Sequence, residues 1–183
     1  MERSNSRRAF AAPFIVLAVV VMVSSASQEP KRPSSVSFYM HDTLQNKTHP
    51  WTDTAVEVAG PHHNLTGLGF GKIIVFNDSL TDGPSLASSK IVGKGQGVYI
   101  YDHTQAGVAF NALLLFSALI ETGEYNGTIN FMGADVILAP SRDISVVGGT
   151  GDFEMARGIA TITTHSIDGD TFIVLFKIKL IYW

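Results

Sequence analysis

Ala112-Leu113-Leu114-Leu115-Phe116-Ser117-Ala118-Leu119-Ile120 is the stretch on which the fold class turns. It is apolar at nearly every position, so its periodicity suits a buried strand and a helix equally. Its surroundings favour the strand. Short β-prone runs recur on both sides, at Val36–Asp42, Thr54–Val58, Lys72–Asp78, Ile91–Tyr101, Thr128–Met132, Arg142–Val147, Ala156–His165 and Thr171–Ile181. Turn chemistry separates them: Gln45-Asn46-Lys47, Gly60-Pro61, Asp82-Gly83-Pro84, Tyr125-Asn126-Gly127, Gly148-Gly149-Thr150-Gly151 and Asp168-Gly169-Asp170. Asn-Gly and Asp-Gly supply residues that tolerate positive φ, as hairpins require. Eight or nine strands without helical patterns between them predict an antiparallel all-β domain. An eight-stranded barrel is favoured, because closure removes exposed edges and encloses a cavity fit for one small ligand; a sandwich is the alternative. No repeat of 20–50 residues points to a propeller or solenoid.

The 183 residues are 45% hydrophobic and 16% charged, with eleven Phe, five Tyr and no cysteine. That suits one folded domain and excludes a disordered chain. A pI near 6.0 without a basic run argues against nucleic-acid binding. Without a thiolate there is no disulfide, thiol nucleophile, iron–sulfur cluster or zinc ribbon.

Residues 1–26 read as a cleaved signal peptide. Arg3, Arg7 and Arg8 precede an apolar run from Ala9 to Val23, and Ser24-Ser25-Ala26 offers a small-residue cleavage site. The run contains Pro13 and falls short of the ~20 apolar residues that span a bilayer, so no membrane anchor is expected. Residues 27–35 form a lead and 36–183 the barrel domain. Cleavage takes Lys+Arg from 13 to 10 and Asp+Glu from 16 to 15, a net charge of about −5. Asn-x-Ser/Thr sequons at Asn46, Asn64, Asn77 and Asn126 then become candidate glycosylation sites of a secreted glycoprotein.

Several motifs fail on inspection. Val147-Gly148-Gly149-Thr150-Gly151 lacks the third glycine of a dinucleotide-binding turn, since residue 154 is Glu, and its glycines read as a tight turn. Gly67-Leu68-Gly69-Phe70-Gly71-Lys72 is no P-loop, because Ile73 stands where a magnesium-binding Ser/Thr is needed. The six histidines give no metal-site spacing, and His62-His63 reads as a solvated loop. There is no Gly-x-Ser-x-Gly elbow. No cofactor, metal or activated nucleophile is expected, and function falls to the shape of a pocket.

Four blocks carry a family resemblance. Arg142-Asp143-Ile144-Ser145-Val146-Val147-Gly148-Gly149-Thr150-Gly151-Asp152-Phe153, continuing Met155-Ala156-Arg157-Gly158-Ile159-Ala160-Thr161, closely resembles the signature of plant dirigent proteins. Phe38-Tyr39-Met40-His41-Asp42 resembles the family's opening strand, and Gly95-Gln96-Gly97-Val98-Tyr99-Ile100-Tyr101-Asp102 its aromatic strand. Tyr125-Asn126-Gly127-Thr128 through Gly133-Ala134-Asp135 resembles the hairpin that follows. The resemblance covers essentially residues 36–182.

It implies an allene-oxide-cyclase-like eight-stranded antiparallel barrel, secreted to the plant cell wall (the apoplast) and usually trimeric. It further implies regio- and stereoselective coupling of phenoxy radicals from monolignols such as coniferyl alcohol, as in lignan biosynthesis. An external laccase or peroxidase supplies the radicals, so the chain needs no oxidative activity of its own. The alternatives are a quinone-methide cyclase of pterocarpan-synthase type and a non-catalytic phenolic-binding wall or defence protein. By matching motif positions, the resemblance assigns Asp42, Tyr99, Tyr101, Asp135 and Arg142 to the chemistry and Thr164 to substrate binding.

Strand periodicity agrees with part of this. Tyr99 and Tyr101 share one face, as do Phe38, Met40 and Asp42. If both faces point inward, they form an aromatic slot with a carboxylate at its end, and Phe38 and Met40 become substrate-binding candidates. A buried carboxyl has a raised pKa and suits general acid catalysis. Some positions depart from the family pattern. Thr164-His165 stands where pinoresinol-forming relatives have Thr-Asp, and Ile173-Val174 where they have an aromatic and an Arg, which makes Ile173 a candidate pocket residue. The loop Asp102–Val108 is a few residues longer than usual. Many relatives also carry a cysteine just before the first strand and another in the last few residues; Pro33-Ser34 and Leu180-Ile181-Tyr182-Trp183 stand there in this chain.

Overall fold

The computed structural model describes residues 29–44, 53–60, 69–103 and 111–183. Residues 1–26, Asn46, His62-His63, Asn64 and most of the loop after Tyr101 lie outside them.

Nine strands follow in chain order: β1 Ser35–Thr43, β2 Ala55–Ala59, β3 Ile73–Thr81, β4 Ile91–Tyr101, β5 Asn111–Glu121, β6 Asn126–Val136, β7 Arg142–Gly151, β8 Ala156–Asp168 and β9 Thr171–Tyr182. They make one antiparallel sheet in the order β1-β9-β8-β7-β6-β5-β4-β3-β2, closed by a further β1–β3 pairing. The barrel therefore has eight strands, with β2 lying outside the circuit on the free edge of β3. The closing seam is short, Tyr39↔Thr81, Met40↔Leu80 and His41↔Ser79. There the Thr81 hydroxyl donates to the Gly83 carbonyl and accepts from His41 Nε2 at 2.7 Å.

The ambiguous stretch is strand β5, with buried and half-buried residues in strict alternation. Ala112, Leu114, Phe116, Ala118 and Ile120 point into the core, and Leu113, Leu115 and Leu119 face outward. A strand apolar on both faces has no visible period, which is why composition left it open. Inside, Phe116 stacks on Phe131 at 4.5 Å between centroids and Phe38 on Phe176 at 5.2 Å. Glycines on β4 make room for these rings. A Cβ at Gly95 would lie 3.3 Å from Met40 Sδ, and one at Gly97 would run into Phe116.

Gly148-Gly149-Thr150-Gly151 is not the expected tight turn. All four residues belong to β7, whose register against β6 shifts at Asn130/Phe131, and the turn falls at Asp152–Met155. Gly149 is needed for close approach, since a Cβ there would collide with the Phe153 carbonyl.

The lead crosses the end of the barrel where β6 starts. Lys31 N–H donates to Asp152 Oδ1 and Asn126 N–H to Asp152 Oδ2, each at 2.9 Å. Between the lead and β9, Tyr182 Oη donates to the Pro33 carbonyl and Leu180 N–H to the Ser34 carbonyl, both at 2.9 Å. Of the sequons within the described residues, Asn77 on β3 and Asn126 at the start of β6 are both exposed.

Candidate functional site

The opposite end of the barrel opens into a narrow cleft with a cavity volume of about 60 Å³. It collects residues from the end of β1 (Met40, Asp42), the end of β4 (Tyr99, Tyr101), the end of β6 (Asp135), the β6–β7 connection (Ile137), the start of β7 (Arg142), β8 (Thr164) and the first half of β9 (Phe172, Val174, Phe176). Leu44, Ala112 and Leu114 complete its apolar wall.

Six of the residues singled out for chemistry or binding on motif grounds meet here: Asp42, Tyr99, Tyr101, Asp135, Arg142 and Thr164. Met40 joins them. Phe38 does not line the cleft; it is 1% exposed and packed among Phe131 and Phe176 beneath it. Ile173 does not line it either, because Phe172 and Val174 occupy the inward positions of β9 and the residue between them takes the other face. The expectation for Ile173 fails on face parity. β9 alternates strictly through Phe172, Val174, Phe176, Ile178 and Leu180, and the register shift of the β8–β9 ladder falls at His165 on β8, so the parity of Ile173 was there to be read.

Two polar groups face each other across this apolar slot. On one wall, Asp42 is 9% exposed, and its Oδ1 has no hydrogen-bond partner. Loss of hydration raises its pKa to about 6, against the hydrogen bond from the Tyr99 hydroxyl, which favours the charged form. Burial foremost, then the Asp42 charge, pushes both tyrosines upward, Tyr101 to about 12. They are held as neutral donors. Their rings meet edge-on at 5.7 Å.

On the other wall, Arg142 Nε donates to Asp135 Oδ1 at 2.6 Å and its Nη1 donates to Thr164 Oγ1 at 2.7 Å. The Arg142 and Asp135 side chains are 5% and 15% exposed. A buried charge is tolerable when paired and hydrogen-bonded in this way. Arg142 opens β7 and pairs with Ile162 of β8, two residues before Thr164, so neighbouring strands deliver the triad already aligned.

The chain is similar to known proteins over most of its length. A family profile described as Dirigent-like protein matches residues 34–181. The chain belongs to the dirigent family. A dirigent protein of Sinopodophyllum hexandrum is 41% identical over 153 residues, covering 78% of this chain and 72% of the relative. Pterocarpan synthase 1 of Glycyrrhiza echinata is 34% identical over 167 residues, covering 85% and 84%. Among solved structures, that of the pterocarpan synthase dirigent protein GePTS1 superimposes with a TM-score of 0.70 at 29% identity, over 81% of this chain and 84% of that one. The all-β, eight-stranded antiparallel barrel is thus the dirigent barrel.

One acid escaped the motif reading. Asp78 on β3 is wholly buried. Its burial, and then the Asp42 charge, raise its pKa to about 9, while the nearby Thr54 hydroxyl and the Lys94 ammonium pull the other way. The alternation Ile74, Phe76, Asp78, Leu80 puts it on the inward face. An aspartate at an inward, period-two position was the available signal.

Proposed function

We propose that the cleft is a stereodirecting pocket for phenolic coupling. Phenoxy radicals made by an external laccase or peroxidase from a monolignol such as coniferyl alcohol pair within it, and the resulting bis-quinone methide closes there to one isomer. The supporting observation is the pairing of a hydrogen-bonded, protonatable Asp42 with a fixed Asp135–Arg142–Thr164 wall across an apolar, aromatic slot.

Asp42, assisted by the Tyr99 hydroxyl, donates a proton to a quinone-methide carbonyl oxygen. The ring regains aromaticity, the methide carbon becomes more electrophilic, and a substrate hydroxyl bonds to it. That hydroxyl releases the proton that restores the acid, so the closure needs no oxidant. Arg142 keeps Asp135 and Thr164 as a rigid polar wall against which a phenol oxygen is oriented. A second reading, ring closure of a preformed quinone methide, is favoured by the likeness to pterocarpan synthases. Both use the same acid.

The setting follows from the same reading: secretion to the apoplast after cleavage near Ala26, with glycans at one or more of the four sequons. Self-association is supported by two apolar rows on the outer face. Val56, Val75, Val98, Leu115 and Met132 are register partners across β2 to β6, and Ala59, Ile73, Ile100, Leu113 and Ala134 run beside them. Val75 and Met132 remain 43% and 45% exposed. A face of this kind suits a symmetric homo-oligomer such as a trimer.

The test supplies coniferyl alcohol and a laccase to the purified protein and measures enantiomeric excess in the coupled products. Excess of one enantiomer supports the coupling reading. Racemic product removes it, and stereoselective closure of isoflavanol-derived quinone methides then supports the second.

A further inference from the structure

We propose that Asp42 and Asp78 work as one acid pair holding a single shared proton at neutral pH, with Asp78 the positioning residue that keeps that proton available to Asp42 at the cleft.

The geometry comes from the closing seam. Its register, Tyr39↔Thr81, Met40↔Leu80 and His41↔Ser79, ends one residue short of Asp42 on β1 and of Asp78 on β3, next to where Thr54 bonds to both strands. Met40 and Leu80 both face inward, so the two residues beyond His41 and Ser79 do as well. Two inward carboxyls at the same end of the seam are close enough for the Asp42 charge to act on Asp78. Asp78 has no hydrogen bond of ordinary length to either oxygen, and Asp42 has none to Oδ1. Two carboxyls so placed in a dry interior cannot both ionise cheaply, and one proton between them meets the needs of both.

The other charged and titratable groups around them do not displace this arrangement. From β4, Lys94 acts on Asp78 only as a minor charge and Tyr99 is held neutral. From β1, the His41 ring is engaged by Thr81, and burial lowers its pKa, so it adds no cation. Asp135, on the far wall, is paired with Arg142.

The pair explains how a carboxyl with a midpoint of about 6 stays competent as an acid above that pH. The last proton leaves the pair, not Asp42 alone, and its departure follows the higher value, about 9. In the acid step, which rests on the function proposed above, Asp42 gives its proton to the quinone-methide oxygen and an O–H bond forms there. Two adjacent carboxylates remain for the moment, and the attacking hydroxyl returns a proton to them as its C–O bond forms.

The test has an arm that needs no substrate. Carboxyl carbon-13 NMR of the aspartate-labelled protein is followed from pH 4 to 10 in wild type, Asp78→Asn and Asp42→Asn. Wild type should show two linked steps, near 6 and near 9, and Asp78→Asn should lose the upper one. In Asp42→Asn the Asp78 step should move down, because its neighbouring charge is gone. A wild-type spectrum with no aspartate titrating above pH 7 overturns the pair, with no variant required; so does an upper step that persists in Asp78→Asn. In the coupling assay, the alkaline midpoint of selectivity should fall from about 9 in wild type toward about 6 in Asp78→Asn. An unmoved midpoint refutes the positioning role. Racemic product at every pH, from protein that shows both NMR steps, rejects the function and leaves the pair standing.

Discussion

Asp42→Asn changes one atom and removes the only titratable proton that the β1 wall presents directly to the cleft. Stereoselectivity should be lost at every pH while the far-UV circular dichroism stays that of wild type; selectivity retained in this variant would return Asp42 to a packing role. Asp78 also makes a stability prediction. Its folded pKa, about 9, lies above the ordinary aspartate value near 4, so the folded state binds the proton more tightly. Its stability contribution is therefore complete below pH ~4 and declines as pH rises toward 9. Asp78→Asn, which mimics the protonated form, should match wild type at pH 4 and melt progressively higher than wild type up to pH 9, as read by thermal denaturation across that range. Arg142→Ala strips the partner from Asp135 and a donor from Thr164. It should cost about 3 kcal/mol, the low end for a buried pair because the cleft leaves one side open, and it should abolish selectivity; denaturant unfolding beside the coupling assay reads both. The motifs made Asp42, Asp135 and Arg142 legible. Asp78 was not, because its importance depends on the strand that lands opposite it, and that pairing joins residues about 40 positions apart.

At the scale of elements, strand identity was written in β-prone runs and turn residues, and all nine runs are strands. Face parity was there to be read as well. The alternation that buries Val174, Phe176, Ile178 and Leu180 along β9 puts Phe172, not Ile173, on the cleft side. Gly148 and Gly149 look like a turn by composition, yet both lie inside β7, where Gly149 serves close packing. Propensity describes a residue's freedom and does not report the backbone that passes beside it. The lead and β9 are joined by hydrogen bonds in a chain that has no cysteine. Tyr182→Phe removes one of these, the bond to the Pro33 carbonyl. It should cost about 1 kcal/mol and lower the melting temperature by roughly 2–4 °C in differential scanning calorimetry. A native disulfide in a small secreted domain is typically worth 2–5 kcal/mol, so this tie is the weaker device.

At the scale of the whole molecule, barrel closure follows from a simple need: nine strands without helices to cover them must dispose of their edges. That much was legible. The apolar rows outside were not, because β5 reads as core throughout and only the register reveals that Leu113 and Leu115 line up with exposed residues of neighbouring strands. Leu115→Lys, at the centre of that face, should convert the proposed homo-oligomer to monomer in sedimentation equilibrium without changing the fold. A wild-type protein that is itself monomeric at all concentrations would reject self-association through these rows.

The sheet order also imposes a sequence in time. Every strand from β2 to β9 lies beside its neighbour in the chain, whereas β1 is seated between β9 and β3. It makes nine register pairs with β9 and three with β3. During synthesis the first strand therefore waits, without its main partner, until the last one has emerged, and the circuit closes in one late, long-range event. Asp42 is carried on that waiting strand. The acid reaches the cleft only when the chain is complete, so a truncated product can hold the Asp135–Arg142 wall and still have no proton to offer.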